Sequence, residues 1–417
     1  MNDAALNIAV IGAGPVGLAL ALHAARTLPR ASVTLFDTRP LDKDVSGDPR
    51  TLALSLGSVQ LLERLGAWRA EHAQSILEVH VSQQPPSLPA LIGDWLPEPE
   101  LRIRAVDEAV PLLGAVLSYG AIVAPLQQVW LDAEAAEPQR LRSRFSTPVA
   151  ALKNLGGVDG AGGAGGAGGV SSTASGVEVD AGIAERFDLA VIAEGGVFSN
   201  QVRKSLTHDY QQTAWVGKVT FEGAAGARAQ GVAYERFTRH GPVALLPLKS
   251  GGAGLVWCVP NDDDPVRDLD DAQRVTVLNS IFHPAVGRVA SITPLKHFPL
   301  GLNAERTLTV GRTVRIGNAA QTLHPVAGQG LNLGLRDAYE LVQSLSRNSD
   351  VGAVLRKLEW QRGPDRWAMI AATDFLARSF TWKLPGAGAA RGLGIAALQA
   401  LGPVKSALAR QMMFGSR

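Results

Sequence analysis

The hydrophobic pattern of the first forty residues changes from strand-like to helix-like and back. Residues 7–11 and 32–36 are short and mostly apolar, which is typical of buried parallel strands. Between them, residues 18–22 continue an apolar helix that ends near Pro29. This order predicts two neighbouring parallel strands joined by a crossover helix.

Two more strand-like segments lie far along the chain. Residues 187–192 and 314–317 contain apolar runs that each lead into a glycine turn. Residues 331–338 follow a glycine-rich stretch and read as a helix. The sequence therefore predicts an α/β fold class, with a parallel sheet whose strands come from distant parts of the chain.

The composition describes an ordinary globular protein with a sizeable core. The 417 residues exceed the usual size of one domain, which favours two interleaved domains. The formal net charge is only +2 and the basic residues are scattered, so we expect no nucleic-acid partner. The single cysteine, Cys258, excludes an intrachain disulfide framework and a cysteine-based metal site, and we expect no metal. Its apolar neighbours indicate a small buried side chain.

The amino terminus has no basic segment followed by a long apolar stretch and a cleavage site. No run reaches the roughly 18 uninterrupted apolar residues that a membrane span requires. We therefore expect a cytoplasmic protein, and attachment to a membrane surface stays open.

The first glycine-rich segment has the parts of a dinucleotide site in order. Gly12 permits a tight turn after the strand, and Gly14 lets the backbone approach a pyrophosphate. Gly17 allows the helix to pack closely on the strand. Pro15 and Val16 complete the turn, where the exposed amides of the helix start attract phosphates.

An acidic residue follows at the expected distance. Asp37 ends the second predicted strand, about 20 residues after Gly17, where a carboxylate should meet the adenosine ribose. This motif alone does not separate FAD from NAD.

A second glycine-rich segment lies about three hundred residues later. It reads Gly317-Asn318-Ala319-Ala320-Gln321-Thr322-Leu323-His324-Pro325-Val326-Ala327-Gly328-Gln329-Gly330-Leu331-Asn332-Leu333-Gly334. Together with the first segment, in this order, it resembles the two ends of the flavin site in the FAD-dependent aromatic hydroxylases. The sequence of this segment resembles that of the ubiquinone-biosynthesis branch of the family. Within that branch it resembles the group of 2-octaprenyl-6-methoxyphenol hydroxylases.

The resemblance implies which residues surround the flavin. It places Arg50 beside the ring system, the ribityl chain at Gly317 and Asn318, and a wall over the isoalloxazine at Pro325. Backbone amides at the positive end of a helix would stabilise the charge of reduced flavin near N1 and O2. These amides belong to Gly328, Gln329, Gly330, Leu331 and Asn332.

The chain departs from the family pattern at three places. The family usually has Asp where Glu194 precedes Gly195, and Ser199 and Arg203 come one and two positions late. That motif is associated with the flavin and with the reduced nicotinamide, so the electron donor stays open. Asn318 replaces the family's Asp and keeps an acceptor oxygen without the charge, so we expect FAD binding to persist. The polar FAD-contacting side chain expected near residues 124–125 is missing there.

No catalytic side chain is identified from the sequence. His324 has two interpretations, a hydrogen-bonded structural histidine or a general base for a phenol, because histidine titrates near neutrality.

The resemblance covers nearly the whole chain and divides it into regions. A discontinuous Rossmann-like FAD-binding domain would comprise residues 1–75, 106–205 and 300–345. An α+β substrate domain with a mainly antiparallel sheet would comprise residues 76–105 and 206–299, and residues 346–417 would be helical. Residues 156–176 are rich in Gly, Ala and Ser and predict a flexible surface insertion.

The carboxyl-terminal tail is basic and apolar. Beyond Trp382 it has five basic residues and no acidic one, mixed with Leu, Ile, Met and Phe. This composition suits an interfacial segment on the inner membrane, and equally a helix packed on its own domain or on a partner subunit.

The function implied by the resemblance is hydroxylation of the ring of a polyprenylated phenol in ubiquinone biosynthesis. FAD, reduced by NADPH or NADH or by a separate reductase, would react with O2 and transfer oxygen through a C4a-hydroperoxide. Other ubiquinone-biosynthesis proteins are candidate partners.

Three alternatives stay open. The protein could be an FAD-dependent oxidoreductase without oxygen insertion, or a non-catalytic flavin-binding subunit of a biosynthetic complex. A plain NAD-dependent dehydrogenase is disfavoured, since it would need no counterpart of residues 317–334.

Overall fold

The computed structural model describes residues 5–84, 98–155, 175–195, 205–223, 231–325, 328–379 and 387–415. Residues 156–174 of the predicted flexible insertion, and Ser199 and Arg203, lie outside this part of the chain.

A six-stranded sheet, parallel except at one edge, forms the first layer. Its order is β19 (Thr309–Val310), β20 (Thr313–Arg315), β12 (Leu189–Ile192), β1 (Asn7–Ile11), β2 (Ser32–Phe36) and β8 (Leu141–Arg144). β1 is central, pairing with β2 and with β12. The strands predicted at residues 7–11 and 32–36 are confirmed, with the same bounds.

Side-chain alternation in β1 divides the core between two faces. Ile8 and Val10 pack among the helices, whereas Ala9 and Ile11 pack under a small antiparallel sheet. That small sheet contains β9 (Ala151–Leu155), β10 (Gly176–Asp180) and β11 (Ala184–Phe187). Both faces of β1 are therefore covered, which explains why its sequence is a continuous apolar run.

A larger, mostly antiparallel sheet forms the second layer. Its order is β21 (Gln321–Thr322), β18 (Lys296–Ala304), β13 (Leu206–Phe221), β16 (Ala253–Pro260), β15 (Pro242–Pro247), β14 (Val232–Phe237), β5 (Glu78–Gln83) and β6 (Glu100–Arg104), and β17 (Val289–Ile292) pairs with β13. β14 and β5 are the parallel pair within it. The predicted domain boundary at residue 299 falls inside β18. The division of the chain into domains therefore stays a prediction.

A three-stranded sheet packs against both layers. It contains β3 (Thr51–Ser55), β7 (Gly114–Ser118) and β4 (Gln74–Ile76). Val116 of β7 packs in a cluster with Ala233 and Phe237 of the large sheet.

The described part of the chain has eight α-helices. They are α1 (Pro15–Thr27), α2 (Leu56–Arg64), α3 (Tyr119–Ala136), α4 (Asp271–Ile281), α5 (Gly330–Arg347), α6 (Val351–Ser379), α7 (Ala387–Ala400) and α8 (Gly402–Phe414). The predicted α/β fold with a helical carboxyl-terminal region is confirmed. Among the described residues no single helix is long and apolar enough to cross a membrane, although α7 and α8, bent by 96°, meet that test of length and composition as a pair.

Candidate functional site

The first glycine-rich turn connects β1 to α1. Gly12 has φ of +106°, and a Cβ there would lie 2.8 Å from the backbone nitrogen of Glu194. A Cβ on Gly17 would lie 1.9 Å from the carbonyl oxygen of Gly12. These two glycines are therefore required by the fold itself. Within the described residues, a Cβ on Gly14 would meet only the Tyr119 hydroxyl, at 3.8 Å, so the protein leaves that side open.

Asp37 lies at the carboxyl end of β2, against the same turn. One carboxylate oxygen accepts the Ala13 amide at 2.5 Å, and the other accepts the Arg39 amide at 2.7 Å. Each oxygen has a second lone pair. Asp37 therefore fixes the turn and keeps acceptor capacity at the place where the sequence predicts a ribose contact.

Arg39 and Gln127 are residues of this region that the sequence analysis did not identify. The Nη2 atom of Arg39 donates to Oε1 of Gln127 at 2.9 Å and to the Ala13 carbonyl at 3.4 Å. Its Nη1 is buried and has no hydrogen-bond partner in the described structure. Gln127 lies on α3 two residues after Pro125, close to where a polar side chain was expected. The sequence signal that could have identified Arg39 was a basic residue two positions after Asp37.

Arg50 directly precedes β3 in the chain. Its guanidinium pairs with Asp48 at 2.8 Å and stacks over the Tyr119 ring, 4.1 Å from the centroid. The Tyr119 hydroxyl in turn faces Gly14. Arg50 thus approaches the first glycine turn through an aromatic side chain.

The two glycine-rich segments meet at Val16. Gly317 has φ of +58°, and a Cβ there would lie 3.3 Å from Cγ2 of Val16. A Cβ on Gly334 of α5 would lie 2.7 Å from that methyl and 2.7 Å from Cα of Gly317. Pro15, at the first position of α1, starts the helix that brings Val16 to this contact. Segments three hundred residues apart therefore form one continuous surface.

Asn318 contacts Gly195, the residue that follows Glu194. Nδ2 of Asn318 donates to the Gly195 carbonyl at 3.0 Å, and Gly195 has φ of +155°. A Cβ on Gly195 would lie 2.7 Å from Cβ of Asn318. Neighbouring Glu194 has a raised pKa because of burial and the nearby charge of Asp37. An aspartate at 318 would replace this donor with a third carboxylate, so the asparagine matches its surroundings.

The second turn precedes α5. The Gly328 amide donates to the Pro325 carbonyl at 2.9 Å, and Gly328 has φ of +60°. Gln329 is the N-cap, and the bond from the Leu333 amide to its carbonyl is 3.0 Å long. The amides of the first helical turn, Gly330, Leu331 and Asn332, have no intrahelical acceptor, which makes this end suitable for an anion.

The side chain of Asn332 holds this turn against β3. Its Oδ1 accepts from the Ser55 amide at 2.8 Å and from the Ser58 hydroxyl at 2.7 Å. Its Nδ2 donates to the carbonyls of Ala53 and Gly328, both at 3.1 Å. The side chain is thus occupied within the protein, and any ligand contact falls to the backbone amide.

His324 is buried at the edge of the second segment. It is 2% exposed, and its Nε2–H donates to Oε1 of Gln212 at 3.0 Å. Burial lowers its pKa to about 4. A neutral, enclosed imidazole of this kind is a poor base for a phenol, so the geometry supports the structural interpretation of His324.

Comparisons with known proteins agree with this geometry. An FAD binding domain model matches residues 186–357. The ubiquinone hydroxylase UbiL of Rhodospirillum rubrum is 30% identical, over 99% of this chain and 90% of its own length. The 3-demethoxyubiquinol 3-hydroxylase of Escherichia coli is 28% identical, over 97% of each chain. Klebsiella pneumoniae HpxO, solved with FAD and uric acid, superposes with a TM-score of 0.67 at 15% identity, covering 98% of this chain and 97% of its own.

The FAD binding domain and the full-length relatives identify an FAD-dependent monooxygenase. This chain belongs to the family of FAD-dependent ubiquinone-biosynthesis hydroxylases, as the motif resemblance predicted.

The described residues fit FAD. Gly14 leaves room for a close ligand, Nη1 of Arg39 is a buried donor without a partner, and the start of α5 presents amides. When bound, FAD supplies the redox and oxygen chemistry, and the protein supplies position and exclusion of water.

Proposed function

We propose that this protein hydroxylates the aromatic ring of a polyprenylated phenol in ubiquinone biosynthesis, with FAD as cofactor and O2 as co-substrate. The main observation in support is the contact at Val16, which joins two glycine-rich segments into one continuous surface. The names of the two full-length relatives supply the substrate class. The ring position and the length of the prenyl chain are not part of the proposal.

In this proposal the first turn holds the adenosine half of FAD. Gly12, Gly14 and the start of α1 at Pro15 receive the pyrophosphate, with Nη1 of Arg39 as the charged donor. Asp37 accepts from the ribose.

The second segment holds the flavin half. Gly317 and Asn318 lie along the ribityl chain, and Arg50 and Pro325 border the ring. The amides from Gly328 to Asn332 stabilise negative charge on the ring through the helix end.

The phenol would lie on the face of the large sheet, beside the contact of that face with β3. A Cβ on Gly254 of β16 would lie 3.0 Å from Thr51 of β3, while Ala53 of the same strand lies beside Gly328. One short strand thus separates the glycine turn from the sheet. The sheet face on this side carries mostly apolar residues, which suits an aromatic ring and a prenyl chain.

We also propose that α7 and α8 contact the inner-membrane surface, where a polyprenylated substrate resides. Leu401, Val404 and Leu408 are 53%, 48% and 36% exposed, and Leu393 is 50% exposed. On their inner side, Ile395 and Met413 share an apolar cluster with the large sheet. The helices therefore connect an exposed apolar surface to the proposed substrate space.

A spectroscopic and isotopic experiment tests the proposed function. Purified protein incubated with FAD should show flavin bands at about 450 nm, and anaerobic NADPH or NADH should bleach them. With 18O2 and a prenylated phenol, the product should carry one 18O atom. Bleaching without label would favour an oxidoreductase that inserts no oxygen, and stoichiometric flavin without turnover would favour a binding subunit. Bands that NADPH and NADH leave unchanged would point to a separate reductase.

A further inference from the structure

One carboxyl group lies on the otherwise mostly apolar face of the large sheet that is turned toward β3. In β14, Ala233 and Phe237 are buried in the cluster that includes Met413 of α8. Glu235 lies between them in the strand, so its side chain points to the same face. Its neighbours in the row across the sheet are Val81 and Ala244, which carry no polar side chain.

No described residue supplies a counter-charge to Glu235 there. Within the described part of the chain its carboxyl makes no hydrogen bond or ion pair, although the side chain is half-buried. The loss of water raises its pKa to about 7. Burial, and then the charge of Glu235, raise the pKa of the Cys258 thiol on β16, which places the carboxyl close to that strand.

A second polar group lies diagonally across the sheet. Gln83 of β5 pairs with Phe237, while Glu235 pairs with Val81, two residues before Gln83 on the same face. Diagonal neighbours in a sheet are about 7–8 Å apart. Gln83 is 2% exposed, its Nε2 donates to the Gly388 carbonyl at 2.6 Å, and its Oε1 is buried without a hydrogen-bond partner.

A buried acceptor without a partner is costly, and Oε1 of Gln83 is one. The half-buried carboxyl of Glu235 also has no donor from the described residues. Gly254, on the same face, contacts Thr51 at the start of β3. Glu235 and Gln83 therefore lie on the sheet face that the proposed function turns toward the substrate. The missing donor fits a hydroxyl group on a ring held against this face.

We propose that Glu235 and Gln83 recognise the hydroxyl groups of the phenolic ring, Glu235 accepting a hydrogen bond from one and Oε1 of Gln83 from a second where the ring has one. This inference depends on the proposed function for the substrate class. Glu235 is then a specificity-determining residue, which makes no covalent bond and favours a phenol over the same ring without a free hydroxyl.

Equilibrium binding measured by perturbation of the flavin spectrum tests the proposal. The probes are 2-geranylphenol and its O-methyl ether, which differ only in the donor. We expect the wild-type holoenzyme to bind the phenol about tenfold more tightly than the ether, as one hydrogen bond to a charged or buried group warrants. Glu235→Leu should reduce that ratio to about one, and Gln83→Leu should lower affinity only for a probe with a second hydroxyl.

Glu178→Leu, a strand glutamate on the small antiparallel sheet, is the matched control and should leave the ratio unchanged. A folded, yellow Glu235→Leu protein that still prefers the phenol tenfold would overturn the inference. If that variant does not fold, Glu235→Ala replaces it and the same ratio decides. Failure of hydroxylation in the wild type, with the binding preference intact, would refute the proposed function and not this one.

Discussion

The three glycines of the first turn occupy their positions for different physical reasons. Gly12 and Gly17 have backbone or neighbouring atoms where a Cβ would lie. Gly14 is the N-cap of α1 with φ of −77° and ψ of −179°, an extended conformation that any residue adopts. A Cβ built on Gly14 would lie 3.8 Å from the Tyr119 hydroxyl, the nearest described atom outside its own helix. Among the described residues nothing requires glycine at this position, which fits a ligand that approaches the backbone there.

Gly14→Val should therefore fold and fail to bind FAD. A Cβ at this position has room inside the protein, and the branched side chain would occupy the space of the pyrophosphate. Thermal unfolding of the apoprotein and flavin absorbance after reconstitution would measure the two effects separately. Gly17→Ala is the contrasting variant, and it should lower the stability of the apoprotein itself. Stoichiometric FAD on Gly14→Val would contradict the predicted position of the pyrophosphate.

His324 should make the protein sensitive to mild acid. Its folded pKa, about 4, lies below the unfolded value of 6.5. The stabilisation is complete above pH 6.5 and is lost as the pH falls through 4, by about 3 kcal/mol in total. His324→Gln should weaken this part of the acid dependence, because glutamine retains a donor for Gln212 and does not titrate. Chemical unfolding from pH 7.5 to 4 would measure it, and parallel curves for both proteins would contradict the assignment.

At the scale of elements, α5 connects the flavin turn to the carboxyl-terminal helices. Its Arg336 pairs with Asp365 of α6 at 3.1 Å, and Arg362 joins Asp365 at 2.6 Å and Asp337 at 2.8 Å. Gln411 of α8 also donates to Asp365. A single buried carboxylate therefore connects three helices.

Asp365→Asn should cost about 3–5 kcal/mol in unfolding free energy, since it leaves two buried guanidinium groups without that charge. Denaturant unfolding of the holoprotein would measure it. Asp107→Asn, in an exposed pair with Arg104, is the control and should change little. A small loss at Asp365 would mean that water or rearrangement compensates the arginines.

The sequence predicted elements better than it predicted contacts. Apolar runs such as residues 7–11 have a strand pattern because both faces are buried, and β1 confirms it. The contact of Gly334 with Gly317 and Val16 has no local pattern, and only the family resemblance brought the segments together. The inward side of Glu235 was equally hidden, because alternation in β14 fits either face until the partner layers are known.

At the scale of the molecule, the membrane proposal depends on the surface of α7 and α8 and not on their presence alone. Deleting the tail would also remove Met413 from the core and Gln411 from Asp365. Point variants on the exposed side avoid that damage.

Replacing Leu401, Val404 and Leu408 together with Gln should reduce flotation with anionic liposomes at least tenfold, because each loses apolar contact with the lipid boundary. Flavin absorbance should stay unchanged. Ile183→Gln, at a 75% exposed position beside the small antiparallel sheet, is the control. Equal flotation of the triple variant and the wild type would refute membrane contact through these helices.

The strand order of the parallel sheet also constrains how the protein is made. β1 pairs with β12, so Ile8 must wait for Leu189, and β20 joins only when residue 313 has been synthesised. At roughly 5–20 residues per second this delay lasts many seconds on the ribosome. During that time the edge of β1 that later pairs with β12 has unpaired backbone groups. The last helix then adds the hydrogen bond from Gln411 to Asp365. We therefore expect capture of the flavin to be a late event in biogenesis, after β20 has joined the sheet.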